Sequence, residues 1–344
     1  MKVLMTADCV GGVWTYALDL ADALAPLGVE MHLATMGRGP DDEQREAAAQ
    51  SALAALHESG FALEWDDEPW EDVDRAGEWL LDLARTVRPD LVHLNGYGHG
   101  ALAWGAPVVV VAHSDVLAWW RAVEGTPPPA RLDRYRRRVE AGLQGADAVC
   151  APTAAVLDDL AASYRFETPR FVVPNGRARR VRDAEKEQLI AGLGRFSDAA
   201  KNVAALRRVA PHLEWEVTLA GPGTERGTVS PAAAADLLAR AAIFASPARY
   251  EPFGLAALEA AQAGCALVLG DIPSLREVWA DAAAYVPPTD DDALLGVLRG
   301  LCEDDDRRQE LARRARERAE RYTPAAMAEA TKAVYTRLPV GAAA

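Results

Sequence analysis

Short apolar runs alternate along this chain with stretches whose apolar residues recur at helical spacing. Lys2 to Ala7 reads as a buried strand, the glycine pair Gly11-Gly12 follows, and Trp14, Ala17, Leu18, Ala21 and Leu24 then trace one face of a helix. Gly28 ends that helix, and Val29 to Thr35 is the next strand. Leu91 to Leu94 and Val108 to Ala112 are further β-rich runs. The second is continuously apolar, the pattern of a strand covered on both faces of a parallel sheet. A loop holding Trp119 and Trp120, a charged helix from Arg131 to Leu143 and the strand Ala148 to Ala151 follow. The turn signal Phe171 to Gly176 closes this half.

A basic link, Arg177 to Arg182, comes next, and then the pattern restarts. Leu189 to Gly194, Glu216 to Ala220, Ile243 to Ser246, Ala266 to Leu269 and Ala284 to Val286 read as strands with helices between them. Pro231 sits where a first helical residue is expected. From Asp304 on the chain is charged helix with a break at Tyr322-Thr323-Pro324. Strand–helix alternation throughout predicts an α/β protein of two units with mostly parallel sheets. Ligands in such sheets sit at the carboxyl ends of strands.

The densest candidate chemistry is Arg249 to Glu259, where Glu251 and Glu259 bracket a Phe253-Gly254-Leu255 turn that opens an alanine-rich helix. A helix start carries unpaired N–H groups and partial positive charge, so it attracts phosphate. Carboxylates accept sugar hydroxyls strongly. Either glutamate alone would usually be a dipole partner or a solvated face; the combination describes a nucleotide-sugar site. Arg195 and Lys201 flank the loop after the first strand of the second half, where fixed cations would stabilise a departing diphosphate. Gly11-Gly12 lies between a strand and a helix and is not the G-x-G-x-x-G of a dinucleotide dehydrogenase. His113 ends the strand Val108 to Ala112. The runs Asp290 to Asp292 and Asp304 to Asp306 precede helices and read as caps, not metal ligands. Arg134, Arg136, Arg137 and Arg138 read as a solvated helix face.

Composition narrows the partners. A net charge of -14 argues against sequence-independent nucleic-acid binding. Cys9, Cys150, Cys265 and Cys302 are scattered, which fits buried thiols in a reducing compartment. There is no secretory pattern and no run long enough to span a membrane, so the expectation is a cytoplasmic protein. Peripheral membrane contact and oligomeric state stay open.

Together these pieces resemble the retaining glycosyltransferases of family four, with the GT-B fold. The resemblance rests on Gly11-Gly12-Val13, Val111-Ala112-His113, Val173-Pro174-Asn175-Gly176, Gly194-Arg195 with Lys201-Asn202, and Glu251 to Glu259, which matches the family's Glu-x7-Glu pattern. It implies two Rossmann-like domains facing across a cleft: an acceptor domain over 1–174, a donor domain over 175–321, and a helix over 322–344 crossing back to the first. It implies that His113, Arg195, Lys201 and Glu251 serve catalysis. Gly11, Gly12, Gly221, Phe253, Gly254, Leu255 and Glu259 would bind the donor, Glu259 at the ribose. The donor would be a nucleotide-diphospho-sugar, a UDP-sugar by frequency in the family, acting as co-substrate with no cofactor and no metal. The acceptor would be a sugar, a lipid-linked or a small molecule. An epimerase or phosphorylase on the same fold, or a non-catalytic nucleotide-sugar-binding subunit, are the competing readings. Two departures stand out. The segment Thr224 to Ser230, which should help hold the base, is short, and the loop before Glu277 reads Ile272-Pro273-Ser274-Leu275-Arg276.

Overall fold

The computed structural model describes residues 1–179 and 184–339; Arg180 and Arg182 of the expected basic link lie outside them. The chain divides into two compact units: residues 1–121, 126–176 and 324 onward form the first, and residues 122–125 with 177–323 the second.

The first unit runs β1 (Lys2–Asp8), α1 (Gly12–Leu24), β2 (Glu30–Met36), α2 (Asp42–Gln50), β3 (Leu53–Glu58), α3 (Trp70–Val87), β4 (Leu91–Leu94), β5 (Val108–Val111), α4 (Val116–Glu124), α5 (Asp133–Gly145), β6 (Ala148–Ala151), α6 (Ala154–Ser163) and β7 (Arg170–Val172). Its sheet is parallel throughout, in the order β3-β2-β1-β4-β5-β6-β7. Alternate residues of the central strands bury into opposite faces, which is why the runs are continuously apolar. Leu4, Val92, Val110 and Val149 join α3, α5 and α6 on one side. Met5, Leu91, Val109 and Cys150 meet α1 on the other.

The second unit runs β8 (Glu187–Leu193), α7 (Val203–Val209), β9 (Glu216–Ala220), α8 (Pro231–Arg240), β10 (Ala241–Ser246), α9 (Leu255–Gln262), β11 (Ala266–Gly270), α10 (Pro273–Trp279), β12 (Ala284–Val286), α11 (Asp291–Glu303) and α12 (Asp305–Ala319). These strands are parallel in the order β12-β11-β10-β8-β9. Phe244, Leu267 and Leu269 bury against α8, α9, α10 and α12, while Ile243, Ala266 and Val268 face α7 and α11. The last helix, α13 (Pro324–Tyr335), belongs to the first unit, where Met327, Ala328, Val334 and Tyr335 pack beside α1.

Asp290 and Asp304 cap α11 and α12, as their positions predict. Trp119 and Trp120 correct the expected loop: they lie on α4, whose first turn is held by the Asp115 carboxylate accepting from the Ala118 N–H at 2.8 Å. Arg138 of the basic segment pairs with Asp74, and the Arg134 and Arg138 guanidinium groups lie over the Trp70 ring. Cys9, Cys150 and Cys265 are buried and Cys302 is partly so; all are free thiols. Among the described residues, no helix is long and apolar enough to cross a membrane.

Candidate active site

Each sheet reverses its strand order once. In the second unit β9 lies to one side of β8 and β10 to the other. At such a reversal the loops leaving neighbouring strands part and leave a crevice for a ligand.

The loop after β8 is built rigidly. Ser197 N–H donates to Pro222 O at 2.8 Å, and the Asp198 side chain accepts from Ala200 N–H at 2.9 Å. Asn202 adopts a left-handed backbone with φ 52°. Its amide donates to Pro247 O at 2.9 Å and Pro288 O at 2.7 Å, tying together the loops after β8, β10 and β12. Arg249 N–H adds a bond to Ala200 O at 2.8 Å. So held, Lys201 Nζ donates to Glu251 Oε2 at 2.6 Å, both side chains about a fifth exposed (21% and 18%). Arg195 is more open and lies 3.6 Å from Asp198.

The helix start beside this pair has no side-chain cap. Gly254 at φ 90° is the N-cap of α9, with no side-chain cap and no acidic residue in the first turn. That φ is strained for any residue with a Cβ. Leading backbone N–H groups and the positive end of the helix dipole are therefore left for an anion. Phe253 is core: it is buried and its ring meets Tyr322 edge-on at 5.3 Å, so only its backbone could touch a donor. Gly221 is also buried, its N–H donates to Gly227 O at 2.9 Å, and a Cβ there would fall 1.9 Å from Gly194 O. Its glycine is required by the close approach of two loops.

Glu259 carries a partner that the sequence hid. Arg177, read as the start of a basic link, is buried, and its Nε donates to Glu259 Oε1 at 2.6 Å. Gln262 Nε2 donates to Arg177 O at 2.9 Å, locking the arginine against α9. Arg276 is taken up by Asp271 and by the Tyr285 ring below it.

Gly11, Gly12 and His113 belong to the first unit. Gly11, at φ 88°, starts α1, also without a side-chain cap, and both glycines are exposed. Asn95, just past β4, accepts from His113 Nε2 at 2.8 Å and from His93 Nε2 at 3.0 Å with one oxygen, while its amide nitrogen donates to Thr6 O at 2.7 Å. The Thr6 bond sets the amide's orientation, so both imidazoles carry their proton on Nε2. Tyr335 of α13 completes the line by donating to His93 Nδ1 at 2.5 Å. Burial pushes His93 down to about 4 and, with His93 as a second cause, His113 to about 3. Both are neutral at pH 7, and His113 keeps Nδ1 as an acceptor. The Tyr16 ring buttresses His113 edge-on at 4.5 Å.

A recess opens at the strand reversal of this unit, between β1 and β4, lined by Thr6, Asp8, Glu64, Trp65 and Asn95 among others. The Glu64 carboxylate accepts from Tyr97 N–H at 3.1 Å and Gly98 N–H at 2.7 Å, yet burial still pushes its pKa up. Sequence reading missed Asn95, Glu64, Trp65, Arg177 and Tyr335. Asn95 alone had a local signal, its place at the carboxyl end of an apolar strand. Among the described residues no three His, Cys, Asp or Glu side chains gather as metal ligands.

Comparison with known proteins agrees with this architecture. Residues 10–178 match the family described as Glycosyltransferase Family 4, and residues 226–318 match Glycosyl transferases group 1. The chain is 28% identical to a Mycobacterium tuberculosis glycogen synthase over 92% of its own length and 90% of that protein's. In fold it is similar to sucrose-phosphate synthase from Thermosynechococcus elongatus, with TM-score 0.82, 16% identity and 98% of each chain covered. An Anabaena protein solved in complex with UDP and glucose superposes with TM-score 0.75 at 16% identity, covering 98% of this chain and all (100%) of that one.

Proposed function

The chain is a glycosyltransferase belonging to family 4, with the GT-B fold, and from that premise we propose that it moves a hexose from a nucleotide-diphospho-sugar to an acceptor hydroxyl with retention of anomeric configuration. The observation that carries the reading is the Lys201–Glu251 pair at 2.6 Å beside the uncapped start of α9. A diphosphate entering there takes the Lys201 ammonium, with Arg195 and the leading N–H groups of α9, and frees Glu251 to accept a sugar hydroxyl. Glu259, held by Arg177, accepts from the ribose. On the first unit, neutral His113 and the Gly12 backbone are the residues assigned to donor binding.

As the bond from the anomeric carbon to the diphosphate oxygen breaks, negative charge grows on that oxygen. Fixed cations and N–H dipoles stabilise it most in the transition state. The acceptor oxygen bonds the same face of the anomeric carbon, and its proton passes to the departing diphosphate. With cations and helix end in place the reaction runs without a metal, so chelator leaves turnover unchanged. A UDP-sugar is the proposed donor, supported by the Anabaena neighbour's bound UDP and glucose.

The test is a thermal-shift screen with UDP, GDP, ADP and their sugars, followed by nucleoside-diphosphate release on transfer. A ligand at a hundred times its Kd adds about 2.7 kcal/mol to the folded state. Binding of none of them, or wild-type turnover in Glu251→Ala, sinks the assignment.

A further inference from the structure

We propose that a recess between the end of α10 and the last turns of α12 is a second anion site of this chain, one that takes a phosphate dianion, free or as the monoester of a small metabolite. It lies in the second unit, and none of its residues belongs to the proposed donor site.

The recess holds about 320 Å³. That is within the range of small-molecule sites, about 300–1,000 Å³. Its walls are charged where most such sites are apolar. Arg313, Arg314, Arg318 and Arg321 line it, with Asp281 and Glu317 as the carboxylates. Arg314, Arg318 and Arg321 stand at i, i+4 and i+7, on one face where α12 gives way to the turn that closes it. Like charges at that spacing repel, so the stripe costs the helix stability by itself. A dianion laid across it turns the repulsion into attraction.

The nearby acids answer only half of this charge. Arg313 is bracketed by Glu310 and Glu317, and Arg314 by Glu310 at 2.8 Å and Asp281 at 3.7 Å. Arg318 meets neutral oxygens instead. Its Nε donates to Val278 O and its Nη2 to Glu277 O at 2.9 Å, so the guanidinium is held in place at the carboxyl end of α10. Arg321 is exposed. Among the described residues, neither Arg318 nor Arg321 has a carboxylate within 4.0 Å. Two fixed positive charges therefore remain in a chain whose net charge is -14. A phosphate dianion matches them in charge. Guanidinium groups also suit it in shape, through paired N–H donors that stay charged at any working pH.

Thermal shift and titration calorimetry on the full chain test this, in sodium phosphate against sodium chloride of equal ionic strength. Phosphate at ten times its Kd raises the melting temperature by roughly 2 °C. The rise persists in Lys201→Ala, which disables the cation of the proposed donor site. Half-saturation weakens at least about tenfold in Arg314→Ala/Arg321→Ala. Arg321→Ala alone breaks no ion pair, so it melts as the wild type does in chloride yet binds phosphate several-fold more weakly, which separates binding from folding. Glycerol 3-phosphate and glucose 6-phosphate are run beside inorganic phosphate. Tighter binding of a monoester identifies a phosphorylated metabolite as the occupant, and tighter binding of phosphate identifies the free ion. No rise over chloride, a rise unchanged in the double variant, or a rise lost in Lys201→Ala overturns the proposal.

Discussion

At the β8/β10 reversal the side chains are Arg195 and Lys201, with Glu251 answering one of them. At the β1/β4 reversal they are carboxylates, an amide, two neutral histidines and an indole. Both places share a backbone plan, a parallel strand leading to a helix that starts at a positive-φ glycine without a side-chain cap, Gly11 for α1 and Gly254 for α9. The fold supplies the crevice and the free N–H groups twice, and the side chains decide what each crevice receives. One presents cations beside a helix start, the other carboxylates, an amide and an indole.

The strongest way to break the contrast is Lys201→Ala, which removes the ammonium at the anion side. A loss of roughly 100- to 1,000-fold in kcat/KM, about 3–4 kcal/mol in the barrier, is expected with the fold kept. Steady-state kinetics with circular dichroism check it, and turnover near wild type would leave the two crevices functionally alike.

Arg177→Met comes next. It leaves Glu259, 23% exposed, without its buried partner, and screening at that carboxylate holds the cost to about 2–3 kcal/mol of unfolding free energy. Urea melts measure it, and weaker nucleotide binding should accompany it if Glu259 needs the arginine for its position.

The β1/β4 side is probed by pH. His93 titrates near 4 in the folded chain against 6.5 unfolded, so the unfolded state takes the proton first. Its stabilising contribution is complete above pH 6.5 and is lost as pH falls toward 4. Between about pH 7 and 5 this one group removes about 2 kcal/mol. A His93→Gln chain should show a shallower decline in melting temperature over that window; an identical slope would remove His93 from the account.

The smallest effect is Tyr335→Phe, which leaves His93 Nδ1 buried without a donor and costs about 1 kcal/mol. Transfer activity should fall only a few-fold, with donor affinity kept. A change in donor affinity without a change in stability would show that the line from Tyr335 to His113 does something other than hold the imidazoles in register.

Much of the fold could be read from the chain alone, since strands buried on both faces are apolar throughout and glycine or proline punctuates their ends. The Trp119-Trp120 segment could not, because the cap that makes it helical is a single carboxylate, Asp115, in a stretch that otherwise looks irregular. Phe253 and Gly221 looked like ligand residues because they stand inside motifs. The structure uses them for packing and for loop approach. Arg177 read only as part of a basic link, because one arginine among several carries no mark of burial.

By itself the sequence determined the alternation of strand and helix, the restart after Gly176, and the glutamate-flanked helix start with its glycine. These follow from spacing within a few residues, where backbone geometry and apolar periodicity act directly. Only the tertiary structure decided who meets whom. Lys201 reaches Glu251 across 50 positions, Arg177 reaches Glu259 across 82, and Tyr335 reaches His93 across 242. Those partners are set by the order in which parallel strands pair and by the points where that order reverses, which local periodicity does not encode.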